Sequence, residues 1–479
     1  MGTSVRRIGG VLRSPVSLLV VALLVFLAGR LRFAFGAQVF TSFDTFSYAY
    51  RGVPELDRGA LVSLTGHAPR TWGVPLFFAL FPNDHARALG QWAVGTVAWA
   101  LLAVTLWTCL RHLAARLVAV AGTLILGLLP QVANWDFAIL SESLSISLGV
   151  IVLALLIWWF NTKSPWLLGA MSIIAVWWLF VRPEILLLAG LIAVVLAVRA
   201  WRHRRWTAAV AAGVLLGAVA WAILITPTVG RTFAGWSATQ LSLEEETLTC
   251  RLRLQVLPDP QIKAVYQNDL GMPACPPAER IAAGTEWNLV EFAEAYKNCP
   301  ALKAWGERNA TSSGYRFAVA APDLYAGYIW HVLPESLGGT GLATLPRAVP
   351  DLVQHAFFPP YRVVVPLLFG GFAVLLAAAV VTGALRRHRR LVVAAILLMA
   401  AGIGSIVAGL IYSAGTYNRY GIQEAIGMRI AVLFLAVAVL DAILERRREH
   451  RQASGQEPIA EEHPPGPTDS AEAETSVIR

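Results

Sequence analysis

Asp44 lies about ten residues past the first long apolar run, in Thr41-Ser42-Phe43-Asp44-Thr45-Phe46-Ser47-Tyr48. A carboxylate there can take a proton from a hydroxyl or hold a divalent cation. Glu142, in Ser141-Glu142-Ser143, falls about six residues into an apolar run that starts near 137. At 1.5 Å rise per residue that is roughly 9 Å below the helix start. A carboxylate at such depth is costly unless a polar cavity or a partner meets it. Arg182 opens the turn Arg182-Pro183-Glu184, and Tyr417, Arg419, Tyr420, Glu424 and Arg429 fill a late link between apolar runs. Guanidinium groups so placed can grip an anion. His67, Arg70 and Trp72 follow Asp44 in the same loop. Structural uses compete: Asp44 can cap a helix, Glu142 can pair with Arg182, and arginines can snorkel to headgroups. His67 and Arg70 read first as ordinary loop residues.

The chain that must position these groups has 479 residues, 56% hydrophobic and 14% charged, with mean hydropathy +0.58. Soluble domains carry about 25% charged residues. Repeated apolar runs of about 20 residues predict an all-α polytopic membrane protein. Ten spans are expected, near 14–33, 88–110, 115–133, 137–160, 165–181, 184–199, 206–226, 362–384, 391–412 and 428–445. The net charge of +9 falls largely in short clusters between them, at Arg111/Arg116, Lys163, Arg199/Arg202/Arg204/Arg205, Arg386/Arg387/Arg389/Arg390 and Arg446/Arg447/Arg448. That distribution sets orientation and excludes a nucleic-acid stripe; it puts both termini in the cytoplasm.

Residues 1–226 then form a membrane module whose first loop carries Asp44. Residues 227–361 form a small extracytoplasmic subdomain, mixed and mostly helical. Residues 362–451 supply the last spans, and 452–479, rich in Glu, Pro and Ser, a disordered cytoplasmic tail. Trp72 to Phe81 is apolar but too short to span, so a re-entrant or interfacial segment is expected. Cys250, Cys275 and Cys299 share the exported segment; two of the three should pair, and the sequence leaves open which. Glu244-Glu245-Glu246 reads as hydrated surface rather than a metal site. Without a phosphate-cradling glycine loop, His-Glu-x-x-His or Cys-x-x-Cys, nucleotide hydrolysis and zinc chemistry are not expected.

The order of these features resembles the GT-C superfamily of integral-membrane glycosyltransferases. The resemblance is carried by Ser42-Phe43-Asp44-Thr45-Phe46-Ser47-Tyr48, Trp72-Gly73-Val74-Pro75-Leu76, Leu140-Ser141-Glu142-Ser143-Leu144, Val181-Arg182-Pro183-Glu184 and Asn418-Arg419-Tyr420-Gly421. It covers roughly 14–226 and the final helices, and is similar to mannosyltransferase and arabinosyltransferase members. It implies a polyprenyl-phosphate-linked sugar donor, a glycan, lipid or protein acceptor, contact with membrane lipids, and inversion at the sugar. Asp44 would be the base and Glu142 a second catalytic carboxylate. Arg182, Arg419, Tyr420, His67, Arg70 and Trp72 would contact substrate. The resemblance fixes no cofactor; a divalent cation is a candidate, and metal dependence is left open. A bacterial plasma membrane is the expected home. A transporter or flippase for a lipid-linked or anionic substrate, or a non-catalytic envelope assembly protein, would use the same architecture; mid-membrane charges and inverted repeats would mark the transporter.

Overall fold

The computed structural model describes residues 14–42, 44–49, 68–182, 185–235, 237–283, 289–338, 349–412 and 417–454. Among the described residues, eight helices are long and apolar enough to cross a bilayer: Pro15–Gly36, Asp84–Cys109, Glu142–Thr162, Leu186–His203, Trp206–Phe233, Tyr361–Val381, Arg389–Tyr412 and Ile422–Ala453. This is a multi-pass membrane protein, helical throughout, with no strand among the described residues. The two remaining expected spans take other forms. Leu113–Leu128 and Pro130–Phe137 meet at a 55° bend, because Pro130 holds Leu129 extended. Pro165–Val181 is apolar but only 17 residues long. Trp206–Phe233 continues through Pro227, two turns beyond the boundary read from the sequence.

Burial sorts the helices. In Glu142–Thr162 and Ile422–Ala453, 72% and 67% of the apolar window is buried, against 17% in Pro15–Gly36. The first two are apolar all round and sit at the centre, where each brings charged residues to one end of the bundle. At the opposite end, Asp441 accepts from the backbone N–H groups of Arg111 and His112 and pairs with His388. Glu445 binds His112 and Glu449 binds Arg387 there. The basic loops of the sequence thus gather on one side.

Small residues set the close approaches near the charged end. A Cβ on Gly73 would lie 2.5 Å from the Phe180 backbone, so only glycine lets the short Gly73–Ala79 helix lie against Pro165–Val181. The Trp177 indole donates to the Gly73 carbonyl at 2.9 Å and secures that contact.

From the charged end rises a subdomain with its own core of Leu248, Leu252, Tyr266, Phe292, Tyr296 and Phe317. It is built of short helices, from Leu243–Arg251 to Pro322–Gly338. Pro260, Pro276, Pro300 and Pro322 each open a helix, where proline's missing N–H costs nothing. The expected mixture with strands is replaced by helix alone among the described residues. The acidic run is not hydrated surface: Glu245 completes a capping box with Ser242, Glu246 accepts from Ser237 and Thr239, and Glu244 packs against Gly230.

Candidate functional site

The loop bearing Asp44 is sewn to the chain just before Glu142. The Phe40 N–H donates to the Phe137 carbonyl at 2.8 Å, the Ile139 N–H to the Phe40 carbonyl at 3.0 Å, and the Thr45 hydroxyl to the Ile139 carbonyl at 3.1 Å. Gln91 ties the same strip to its helix through the carbonyls of Asp136 and Ala138. Two remote acidic segments are therefore neighbours through backbone bonds, before any side-chain pairing.

The Glu142 helix starts at Glu142 itself, not near 137. The turn over Asn134–Phe137 and an extended step at Ala138 interrupt the run. Glu142 therefore sits in the first turn, where the helix dipole favours an anion, although it is only 1% exposed. Arg419 donates to both Glu142 and Asp44, and Arg182 lies 3.7 Å from Glu142. Arg70 reaches Asp44 at 3.1 Å. Its plane is steadied by the Ser47 hydroxyl at 2.9 Å and by the faces of Tyr48 and Phe233 at 4.7 and 5.0 Å. Among the described residues, three guanidinium groups thus meet two carboxylates, an arrangement suited to meeting an anion. Burial pushes the Asp44 carboxyl up, but Arg70, Arg419 and Arg182 outweigh it and hold it below the usual carboxylate range.

Of the expected site residues, Asp44, Arg70, Glu142, Arg182 and Arg419 come together. Asp44 does not serve as a helix cap; its carboxylate goes to the two arginines. Trp72 stands apart from the ion pairs, stacked on Phe180 with ring centres 5.0 Å apart, and braces the helix that ends at Arg182. His67 and the Tyr420 side chain lie outside the described residues. Asp136 is committed elsewhere: it pairs with Arg30 at 2.6 Å and accepts from Ser143 at 2.6 Å. Arg30, inside the first span, passed unnoticed in the sequence. It also donates to Thr96 and to the carbonyls of Trp92 and Gly127, so the buried pair is fully hydrogen-bonded.

Two hollows adjoin the link that carries Arg419. One is a narrow apolar slot lined by Leu153, Trp178, Ile185, Leu188, Gly402 and Ile430, with Ser405, Gln423 and Glu424 as its polar members. The other, about 640 Å³, lies on the subdomain and is lined by Gln255, Asp259, Gln261, Tyr328 and His331 among others. Gln255 is 5% exposed, and its side-chain carbonyl has no hydrogen-bond partner. It sits in the π-helical turn Leu252–Val256, a geometry that collects at functional sites. Nothing in the sequence marks Gln255 or that turn. Tyr328 bonds Tyr417 hydroxyl to hydroxyl, which connects this hollow to the link carrying Arg419.

A divalent cation fits poorly between the carboxylates, because the Arg419 guanidinium already joins Asp44 to Glu142. Among the described residues no group of three His, Cys, Asp or Glu side chains is arranged as a metal site.

The fold and this cluster define a multi-pass helical membrane protein with a half-buried, arginine-rich carboxylate site beside a helical subdomain. No family model matches the chain, and no curated protein matches it significantly.

Proposed function

We propose that the protein transfers a sugar from a polyprenyl-phosphate donor to a glycan, lipid or protein acceptor on the extracytoplasmic face of a bacterial plasma membrane. One relationship carries this reading. Within eight residues, the link from Tyr417 to Glu424 touches three environments: Tyr417 borders the polar hollow through Tyr328, Arg419 lies in the ion-pair cluster, and Gln423 and Glu424 line the apolar slot. A lipid-linked sugar phosphate has that sequence of chemistries, with an apolar chain, an anionic junction and a hydroxylated head.

The prenyl chain enters the slot rather than the neighbourhood of Trp72, and the donor phosphate lies against Arg419 and Arg182. Before the donor binds, Arg419 is held by Asp44 and Glu142, and Asp44 is a weak base. The phosphate competes for the guanidinium groups, which frees the Asp44 carboxylate and raises its proton affinity. Asp44 then removes the proton of an acceptor hydroxyl as that oxygen attacks the anomeric carbon. The bond to the phosphate oxygen breaks, polyprenyl phosphate leaves with the electron pair, and the sugar inverts. Arginine stabilises the charge on the leaving phosphate. The acceptor lies toward the polar hollow, where the Gln255 carbonyl can accept from a sugar hydroxyl.

Orientation follows from the basic clusters at the opposite end of the bundle, which the positive-inside rule assigns to the cytoplasm together with both termini. The deciding experiment uses purified protein in liposomes with a panel of polyprenyl-phosphate sugars and a glycan acceptor. Wild type should consume a donor and release polyprenyl phosphate, and Asp44→Asn should not. Movement of the lipid-linked sugar across the bilayer without its consumption would instead establish a flippase.

A further inference from the structure

We infer that Cys275 and Cys299 form a disulfide in the mature protein, and that Cys250 remains a free thiol. Both residues lie at helix starts of the same pattern, Cys275-Pro276 and Cys299-Pro300, each ahead of a proline at the first helical position. Both are free thiols packed into the same subdomain core, and burial first, then the neighbouring Cys299 thiol, raises the Cys275 pKa. Both also meet the end of the Leu289–Lys297 helix: Cys275 Sγ lies 4.0 Å from the Ala295 carbonyl, and the Cys299 N–H donates to the Tyr296 carbonyl at 3.2 Å. Cys250 has different surroundings, with Glu246, Arg253 and Asp44 as its charged neighbours. Cys109 is remote from all three, at the far end of the bundle, where Asn161 donates to it.

The inference rests on the extracytoplasmic placement of the subdomain and stands whether or not the site transfers sugar. In that compartment thiol pairs are oxidised. The two thiols give up two protons and two electrons to the disulfide of a dithiol–disulfide oxidoreductase, which leaves as its dithiol. The bond ties the starts of two helices to the end of a third. That third helix reaches the site: Tyr296 bonds Glu245 at 3.4 Å, and Glu245 belongs to the helix that carries Cys250 beside Asp44. The cross-link therefore holds the roof of the ion-pair cluster without touching it.

The test is peptide mapping of the full-length protein from its own membranes, with thiols blocked by N-ethylmaleimide under denaturing conditions before any reduction. The expected result is a linked Cys275–Cys299 peptide pair, with maleimide on Cys109 and Cys250. Maleimide on both Cys275 and Cys299, or a bridge to Cys250, would overturn the inference. As a second measurement, dithiothreitol should lower the Tm of wild type and leave that of Cys275→Ser/Cys299→Ser unchanged; equal shifts in both would overturn it. Should the double variant fail to fold, the mapping of wild type decides alone. Loss of the proposed transferase activity would bear on neither result.

Discussion

Arg419 holds Asp44 in a charge-assisted hydrogen bond although 375 residues separate them in the chain. The same guanidinium reaches Glu142, so one side chain fastens the first loop, the central helix and the last link. Removing the Asp44 charge tests the proposed chemistry directly. Asp44→Asn should lower kcat by about 10²–10⁴, the usual worth of a general base, with membrane insertion and donor binding retained. Donor consumption by purified protein measures it, and near-normal turnover would remove Asp44 as the base.

The pH dependence of stability follows from the same pairing. The folded pKa of Asp44 lies below its ordinary 3.8, with burial opposing and Arg70, Arg419 and Arg182 prevailing. A depressed carboxylate pKa contributes stability that is complete above the unfolded value and is lost as pH falls through the folded one. The Tm of wild type should therefore fall more steeply than that of Asp44→Asn on acidification from about pH 6 to about pH 3. A phosphate-bearing donor analogue that draws the arginines away should move this loss to higher pH.

Gln255 separates packing from recognition. Its buried carbonyl has no partner, so Gln255→Leu should leave Tm unchanged or raise it. If the hollow receives acceptor hydroxyls, the same change should raise the acceptor KM about 3- to 10-fold, the worth of one hydrogen bond, with the donor KM unchanged. A lowered Tm with unchanged KM would mark Gln255 as structural.

Arg30 and Asp136 should behave as a framework pair. Arg30→Met leaves a buried carboxylate without its cation and should cost about 3–5 kcal/mol of stability. Arg30→Met/Asp136→Leu should recover most of the loss, since apolar replacement of both partners is commonly neutral. Thermal unfolding in detergent measures both, and a single variant as stable as wild type would refute the role.

The sequence by itself determined the membrane class, the helical content and the gathering of basic loops on one side. These depend on local sums of hydropathy and charge along the chain, which hold in any packing. It also singled out Asp44, Glu142, Arg182 and Arg419 as candidate site residues, and Glu142 as a costly group in need of a partner, because burying a charge is expensive whatever surrounds it. Tertiary structure decided which partner each one took. It gave Asp136 to Arg30 and Glu142 to Arg419, brought Arg70 onto Asp44, started the central helix at Glu142, and set Cys275 beside Cys299. It alone revealed the orphaned carbonyl of Gln255. Pairings across hundreds of residues depend on how helices pack and where prolines break them, and neither can be read from a window of neighbouring residues.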